Sequence, residues 1–107
     1  MKFETDRRTR GEQRVLACLL QRNQSLLHCA GLIPRHFSHD QHGMIFAAIR
    51  VLIAQGVVAD PQSVLAFLCD AWPRNHWSAD YLHMLADLPV RPSNCGYYAM
   101  VMFEELP

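Results

Sequence analysis

Apolar side chains recur at three- and four-residue steps along most of the chain, and the longest such run lies near its middle. Between residues 37 and 53 these positions gather on one face of a helix. They are Met44, Ile45, Ala48, Ile49, Leu52 and Ile53. Ser38, with Gln41 three residues on, has the pattern of a capping box, and Gly56 is suited to the left-handed conformation that follows a helix end. The pattern predicts a central helix with other helices packed against its wide apolar stripe.

Two helices are predicted before the central one. Thr9 and Glu12 have the spacing of a second capping box, which would open a helix over about residues 10–22. Asn23 is a suitable N-cap for a short helix over residues 24–30. Both segments place their apolar residues at helical spacing.

Three helices are predicted after the central one. Asp60 is an N-cap acid followed by proline, which fits the first position of a helix because no N–H is needed there. Ser78 can cap a short helix, and Ser93 or Asn94 can cap a last helix that runs toward Glu105. No stretch alternates apolar and polar residues with a period of two. The sequence therefore predicts an all-α fold of about six helices.

Composition limits the chain to one folded domain with little charge to attract a polyanion. Half of its 107 residues are apolar, 19% are charged, and the formal net charge is zero. A neutral domain lacks the cationic field that drives most nucleic-acid binding, so a direct nucleic-acid partner is disfavoured. A local basic cluster, Arg7, Arg8, Arg10 and Arg14, is interleaved with acids. We interpret residues 1–10 as a flexible basic arm and residues 11–107 as the domain.

The cysteines and the overall hydropathy indicate an intracellular protein. Cys18, Cys29, Cys69 and Cys95 are far apart and form no C-x-x-C pair. Most of them lie among apolar helical residues, so they are expected to be small buried side chains in a reducing compartment. The N-terminus is too polar for a signal peptide, and no apolar run approaches a membrane span. We expect a cytoplasmic protein with no membrane partner.

Three histidines stand three residues apart and raise the question of a metal site. Imidazoles of His36, His39 and His42 could share an ion, but no acid or cysteine completes a familiar ligand motif. The alternative is that His36 and His39 are loop and cap residues and that His42 packs or hydrogen-bonds. We favour this alternative and expect neither a metal nor a cofactor. Adjacent pairs such as His28 and Cys29 point to different sides of a helix, so no catalytic pair is evident.

Nearly the whole chain, residues 12–104, carries an ordered series of short sequence pieces. The pieces are EQRVLACLL (12–20), LIPRHFSHDQHGMIF (32–46), VADPQSVLAFL (58–68) and DYLHMLADLPVRPSNCGYYAMV (80–101). Within them the most telling positions are Phe37, His42, Ile45, Phe46, Asp60, Tyr81, Leu82, Asn94 and Tyr98. In this order and spacing the series resembles the N-terminal domain of the DnaB family of bacterial replicative helicases. We interpret these positions, together with Ser38, as core and cap residues.

The resemblance implies a compact orthogonal bundle of helices, the head domain, followed by a helical hairpin. In the family this domain forms a collar of paired subunits on the hexameric helicase, helps assembly and receives the C-terminal domain of primase. It performs no catalysis itself. The resemblance places the end of this chain within the first arm of the hairpin.

The chain departs from the full-length family pattern because the motor is missing. A Walker A phosphate loop needs a lysine, and Lys2 is the only lysine present. The ATP-dependent helicase activity of the full-length family protein therefore cannot be carried over, and we expect no enzyme activity. The sequence fits either one domain of a replicative helicase or a stand-alone relative without a motor.

The last predicted helix carries more apolar residues than one buried face can hold. Tyr98 can pack inward, while Tyr97, Met100 and Phe103 fall on other sides and are candidates for a protein contact surface. The alternative is a larger core that covers them.

A second candidate patch is formed by Trp72 and Trp77, which lie in a predicted loop. Core anchoring is the alternative for at least one of the two rings, because buried tryptophans commonly anchor a core.

Two functional hypotheses follow from the sequence. The first is a non-catalytic interaction module in DNA replication, with partners that include a second copy in a weak dimer, the replicative helicase, primase or a helicase loader. The second is a small helix-turn-helix DNA-binding regulator, which the basic N-terminal cluster motivates. The zero net charge, and the lack of a helix rich in Arg, Asn and Gln, disfavour the second hypothesis.

Overall fold

A computed structural model describes residues 7–29 and 31–104, and helices account for its regular structure. The five α-helices are α1 (Arg7–Gln21), α2 (Asp40–Ala54), α3 (Pro61–Ala71), α4 (Ala79–Ala86) and α5 (Cys95–Glu104). Three 3-10 segments lie between them: Asn23–His28, Pro34–His36 and Pro92–Asn94. No strand occurs in these ranges, which confirms the predicted all-α fold. None of the helices seen there is long and apolar enough to cross a membrane.

The centre of the bundle is α1 and not, as predicted, α2. Helix α1 packs against α2, α4 and α5, whereas α2 packs mainly against α1 and α3. Residues 15–20 of α1 are all buried, so this helix is covered around most of its circumference. Helix α2 leaves Arg50 and Val51 exposed on its outer side. The wide apolar stripe of α2 indicated burial correctly, but the continuous apolar run of α1 was the stronger sign of a central position.

The two ends of α2 differ in how well the sequence predicted them. The predicted capping box of Ser38 and Gln41 is not formed, because the helix begins at Asp40 and Ser38 donates its hydrogen bonds to Glu12. The far end follows the prediction at Gly56, whose φ is +75°. The N–H of Gly56 donates to the Ile53 carbonyl, and the next N–H donates to the Leu52 carbonyl, which is the Schellman pattern.

The predicted capping box of Thr9 and Glu12 is also wrong. Both residues lie inside α1, which is helical from Arg7 onward, and both are buried. Thr9 Oγ1 lies 2.9 Å from His39 Nε2, so these polar groups find partners across the core and not at a helix end. Residues 7–10 of the predicted flexible arm belong to α1, and residues 1–6 lie outside the described part of the chain.

The later caps divide into two that form and one that does not. Asp60 accepts the N–H of Ser63 at 2.8 Å, and Ser78 accepts the N–H of Tyr81 at 3.0 Å, so both N-caps are confirmed. Neither Ser93 nor Asn94 caps α5, because both lie in a 3-10 segment that continues directly into the helix.

Asn23 holds two parts of the chain together and is not the N-cap of the segment that follows it. Its Nδ2 donates to the carbonyls of Leu19 and Ala59, and its Oδ1 accepts the N–H of Ala59 at 2.9 Å. The side chain therefore bonds both backbone groups of Ala59, which lies just before α3. The segment predicted as helix 24–30 is the 3-10 segment Asn23–His28, and Ala30 lies outside the described residues.

Two glycine substitutions test how closely α2 approaches the segment Pro34–His36. Gly43 in α2 is the test position, and Gly11 in α1 is the control. A Cβ at Gly43 would lie 2.7 Å from the backbone oxygen of Pro34, whereas a Cβ at Gly11 would meet only side chains, at 3.7 Å or more. We expect Gly43→Ala to lower the free energy of unfolding by about 1–3 kcal/mol, because a carbonyl must move. We expect Gly11→Ala to raise it by up to about 1 kcal/mol, through helix propensity.

The measurement is urea unfolding followed by far-UV circular dichroism. Equal stabilities for the Gly43→Ala and Gly11→Ala proteins would contradict the close approach of α2 to the segment Pro34–His36.

Candidate interaction surface

Helix α5 buries one side and presents aromatic and methionine side chains on the other. Its inner side is formed by Cys95, Ala99 and Met102, all at most 4% exposed. Tyr97 is 59% exposed, Met100 is 52% exposed and Phe103 is 37% exposed. We call these three residues the α5 face. Exposed apolar side chains grouped on one helix are typical of a contact surface for another protein.

Arginines of α1 flank the α5 face. Arg7, Arg10 and Arg14 line a shallow hollow of about 300 Å³ together with Tyr97 and Tyr98. The Arg14 guanidinium lies 5.8 Å from the ring centroid of Tyr98, within cation–π range. Tyrosine, methionine and arginine are the residue types enriched at protein interfaces, so the composition of this region favours protein binding.

The two tryptophans of the second candidate patch pack against the core from the end of α3. Both rings are half-buried and touch the hydrophobic core. Trp77 Nε1 donates to the Trp72 carbonyl at 3.1 Å, and the two ring centroids are 6.5 Å apart. This arrangement holds the loop before α4 against α3. Most of the tryptophan surface therefore serves the fold, and less of it is open to a partner than on the α5 face.

Beneath the surface, a buried hydrogen-bonded network joins α1, α2 and α4. Glu12 and His42 are 0% exposed. Glu12 Oε1 lies 2.8 Å from His42 Nδ1, and Glu12 Oε2 accepts the N–H of Ser38 at 2.7 Å and its hydroxyl at 2.5 Å. His42 Nε2 lies 2.6 Å from the Tyr81 hydroxyl, which accepts from Gln13 Nε2 at 3.0 Å. We call Glu12, Ser38, His42, Tyr81 and Gln13 the core network.

The protonation states of the network follow from its burial and its hydrogen bonds. Burial lowers the pKa of His42 despite its bond to Glu12, so the ring is neutral at pH 7. Burial alone would raise the pKa of Glu12, but the hydrogen bonds from His42 and Ser38 outweigh it and hold the pKa below its usual value. Burial raises the pKa of Tyr81 to about 12, so its hydroxyl keeps its proton. From these partners we assign Nδ1–H of His42 as donor to Glu12 and Nε2 as acceptor from Tyr81.

An arginine adds a positive charge beside the buried carboxylate. Arg8 Nε lies 3.6 Å from Glu12 Oε2, and the Arg8 side chain is 27% exposed. The carboxylate is therefore buried with hydrogen-bond donors on both oxygens and a cation nearby, which are the conditions under which burying a charge is tolerated.

Two of the three clustered histidines come together, and all three have other protein partners. His42 belongs to the core network, and the His39 ring lies edge-on to it with centroids 5.3 Å apart while His39 also contacts Thr9. The His36 ring lies edge-on to Phe103, with centroids 5.0 Å apart. Within residues 7–29 and 31–104, no three His, Cys, Asp or Glu side chains are grouped as metal ligands.

The remaining predicted core positions lie as follows. Ile45, Phe46 and Leu82 are at most 1% exposed. Tyr98 is half-buried against the core, and Asn94 is exposed. These predicted core residues are therefore buried or half-buried, while Asn94 lies on the surface.

Sequence reasoning missed the role of Glu12, which it assigned to a helix cap. A signal was present, because Glu12, Leu16 and Leu19 recur at helical spacing and share one face of α1. An acid on an apolar face indicates a buried polar partner. That partner is His42 of α2.

A second apolar region was also missed. Leu27 is 81% exposed and Val58 is 69% exposed, and both line a hollow beside the end of α2. Neither residue stands out in the sequence from apolar residues that are buried.

Comparison with known proteins gives a family and a similar solved structure. Residues 5–104 match the family described as the DnaB-like helicase N terminal domain. The crystal structure of the N-terminal domain of DnaB helicase from Mycobacterium tuberculosis superposes with a TM-score of 0.78 at 32% sequence identity, covering 88% of this chain and 69% of that one. No curated protein matches the sequence.

Replacing the buried carboxylate tests the core network. We expect Glu12→Gln to lower the free energy of unfolding by about 2–4 kcal/mol, because its NH2 group must face another donor, either His42 Nδ1–H or the Ser38 N–H, and that donor loses its acceptor. Urea unfolding measures the effect. The control is Glu104→Gln, which removes an exposed ion pair with Arg7 at 3.8 Å and should change stability by less than about 0.5 kcal/mol. Similar small effects for both variants would contradict a structural role for Glu12.

The network also predicts a loss of stability at acid pH. The pKa of His42 is depressed in the folded protein, so the unfolded state binds more protons and stability falls as pH drops below the usual value of 6.5. Glu12 has a lowered pKa too, so a further loss follows as pH drops below 4.5. Urea unfolding across this pH range measures both steps.

The first step should disappear in His42→Gln and remain in His76→Gln, which changes an exposed histidine. Loss of the first step in His76→Gln, or its persistence in His42→Gln, would refute the assignment to His42.

Proposed function

The chain belongs to the DnaB-like helicase N-terminal domain family, and from that premise we propose that it is a protein–protein interaction module in DNA replication. The DnaB N-terminal domain is a non-catalytic domain, and we propose the same for this chain, acting in the cytoplasm. We propose that it binds other subunits of the replication machinery, namely a second copy of itself, the replicative helicase, primase or a helicase loader.

The observation that carries the proposal is the α5 face. Tyr97, Met100 and Phe103 are 37–59% exposed on one short helix. Exposing them to water is unfavourable, and a partner that covers them recovers that free energy. Phe103 is held edge-on against His36, so part of this surface is already ordered before binding.

Electrostatics favours a partner with acidic groups around an apolar centre. Arg10 and Arg14 are exposed beside Tyr97, while Arg7 is close to Glu104 at the other end of α5. An apolar contact bordered by exposed arginines pairs best with an apolar patch bordered by carboxylates. A rim of this kind raises the association rate more than it raises affinity.

The size of the α5 face favours weak self-association. Stable interfaces bury about 800 Å² on each partner, with roughly 20–30 residues per side. Three exposed side chains and their neighbouring arginines form a smaller contact. We therefore propose a weak dimer on its own and tighter binding only where a partner contributes a larger complementary surface.

The basic cluster does not support the alternative of a DNA-binding regulator. Arg8 points into the core beside Glu12, and Arg7 lies 3.8 Å from the Glu104 carboxylate. The formal net charge is zero, so no strong cationic field remains to hold a polyanion.

Substitutions on the α5 face test the proposal. We expect Tyr97→Ala and Met100→Ala each to weaken binding to the helicase or primase of the same cell by about tenfold or more, because each truncates a side chain at the centre of the contact. Both variants should keep the wild-type melting temperature, since both side chains are more than half exposed. Binding is measured by biolayer interferometry, and self-association by sedimentation over a concentration range.

The matched control is Met84→Ala. This methionine is 39% exposed and lies on α4, outside the α5 face. It should bind as the wild type does. Folded wild-type protein that binds neither helicase nor primase would overturn the proposed function. Equal losses in Met84→Ala and Met100→Ala would overturn the assignment to the α5 face.

A further inference from the structure

Three of the four cysteines meet in the core, where the start of α5 approaches the 3-10 segment Asn23–His28. Cys18, Cys29 and Cys95 are buried and free, whereas Cys69 is exposed on α3. Cys29 Sγ and Cys95 Sγ lie 3.1 Å apart, closer than two unbonded sulfur atoms at van der Waals contact. Cys18 also contacts Cys95, and its Sγ donates to the Arg91 carbonyl at 3.6 Å. The interaction-module function makes no use of these thiols.

The backbones on either side of the pair are also close. Gly96, next to Cys95, would place a Cβ 3.5 Å from the backbone oxygen of His28, which is next to Cys29. A disulfide requires both sulfur proximity and backbones near enough for the two Cβ atoms to approach. Cys29 and Cys95, which are 66 positions apart in the sequence, meet both conditions.

We propose that Cys29 and Cys95 form an oxidisable pair, which a low-molecular-weight disulfide such as oxidised glutathione converts to an intramolecular disulfide. The bond would fasten the first turn of α5 to the end of the segment Asn23–His28. Because the α5 face begins two residues after Cys95, the modification would fix the base of the helix that presents it. The inference does not depend on which partner the α5 face binds.

The reaction balances as two successive thiol–disulfide exchanges. The Cys29 thiolate attacks one sulfur of oxidised glutathione, forming a mixed disulfide and releasing one glutathione thiolate, which takes up a proton. The Cys95 thiol loses its proton, and its sulfur attacks Cys29 Sγ, releasing the second glutathione. The protein loses two protons and two electrons, and the small disulfide gains them as two thiols.

Between the two members of the pair, the environment assigns the first attack to Cys29. The hydrogen bond from Cys95 lowers the pKa of Cys29, while the contacts with Cys18 and Cys29, together with burial, raise the pKa of Cys95. Cys29 is 4% exposed and lies at the end of a 3-10 segment, whereas Cys95 is 0% exposed. Since both thiols are covered, the reaction requires local opening of this contact and should be slow in the native protein.

The test is oxidation of the native full chain by oxidised glutathione, followed by denaturation, alkylation of remaining thiols and mass spectrometry. We expect a product about 2 Da lighter before alkylation, with Cys18 and Cys69 alkylated and a peptide linking Cys29 to Cys95. We expect its melting temperature to rise on the order of 10 °C, because the bond closes a long loop in the unfolded chain.

Single substitutions provide the controls. Cys18→Ser and Cys69→Ser should still form the linked peptide, whereas Cys29→Ser and Cys95→Ser should not. Recovery of glutathione on Cys69 alone, with Cys29 and Cys95 both alkylated, would overturn the proposal. A Cys18–Cys95 link in the wild-type protein would overturn it equally, and that result needs no variant to fold.

Discussion

The fold depends on one buried carboxylate. Glu12 lies inside α1, the helix against which α2, α4 and α5 pack, and it receives hydrogen bonds from the segment before α2 and from His42 within α2. Through His42 the same network reaches Tyr81 on α4. A carboxylate buried in this way is costly unless both of its oxygens accept hydrogen bonds. The bonds therefore fix the positions of the three helices relative to one another. The apolar residues around it could pack in several registers, whereas the hydrogen bonds accept only one.

The proposed contact surface is separate from the buried polar network. Glu12 and His42 bond each other in the core, and both are 0% exposed. Helix α5 packs on α1 from the other side through small side chains and Met102, which lets its larger residues lie outward. Family membership, an inert polar core and an apolar outer helix all favour action by contact with other proteins.

The sequence predicted the helices better than it predicted what holds them together. Apolar periodicity located all five α-helices, since burial of one face is a local property of a repeating pattern. Asp60 and Ser78 were identified as caps because their partners lie three residues away. Thr9, Glu12 and Ser38 have the same local spacing, yet their partners lie across the core. In the sequence, the residues of a capping box and those of a buried tertiary network can have the same spacing. Only the packing of α1 against α2 decides which of the two forms.

The candidate surface was partly predictable for the same reason. Helix α5 has more large apolar residues than one buried face can hold, and this surplus can be counted in the sequence. The exposure of Leu27 and the half-burial of Trp72 and Trp77 depend on which neighbouring segments cover them, and no local pattern records that.

The most direct test of the central claim is methyl NMR on the protein labelled at the methionine methyl groups, with and without the partner that binds it. The account predicts that the Met100 resonance shifts or broadens on binding, while Met84 on α4 keeps its position. Shifts at Met84 or Met44 with none at Met100 would show that the protein acts through a different surface.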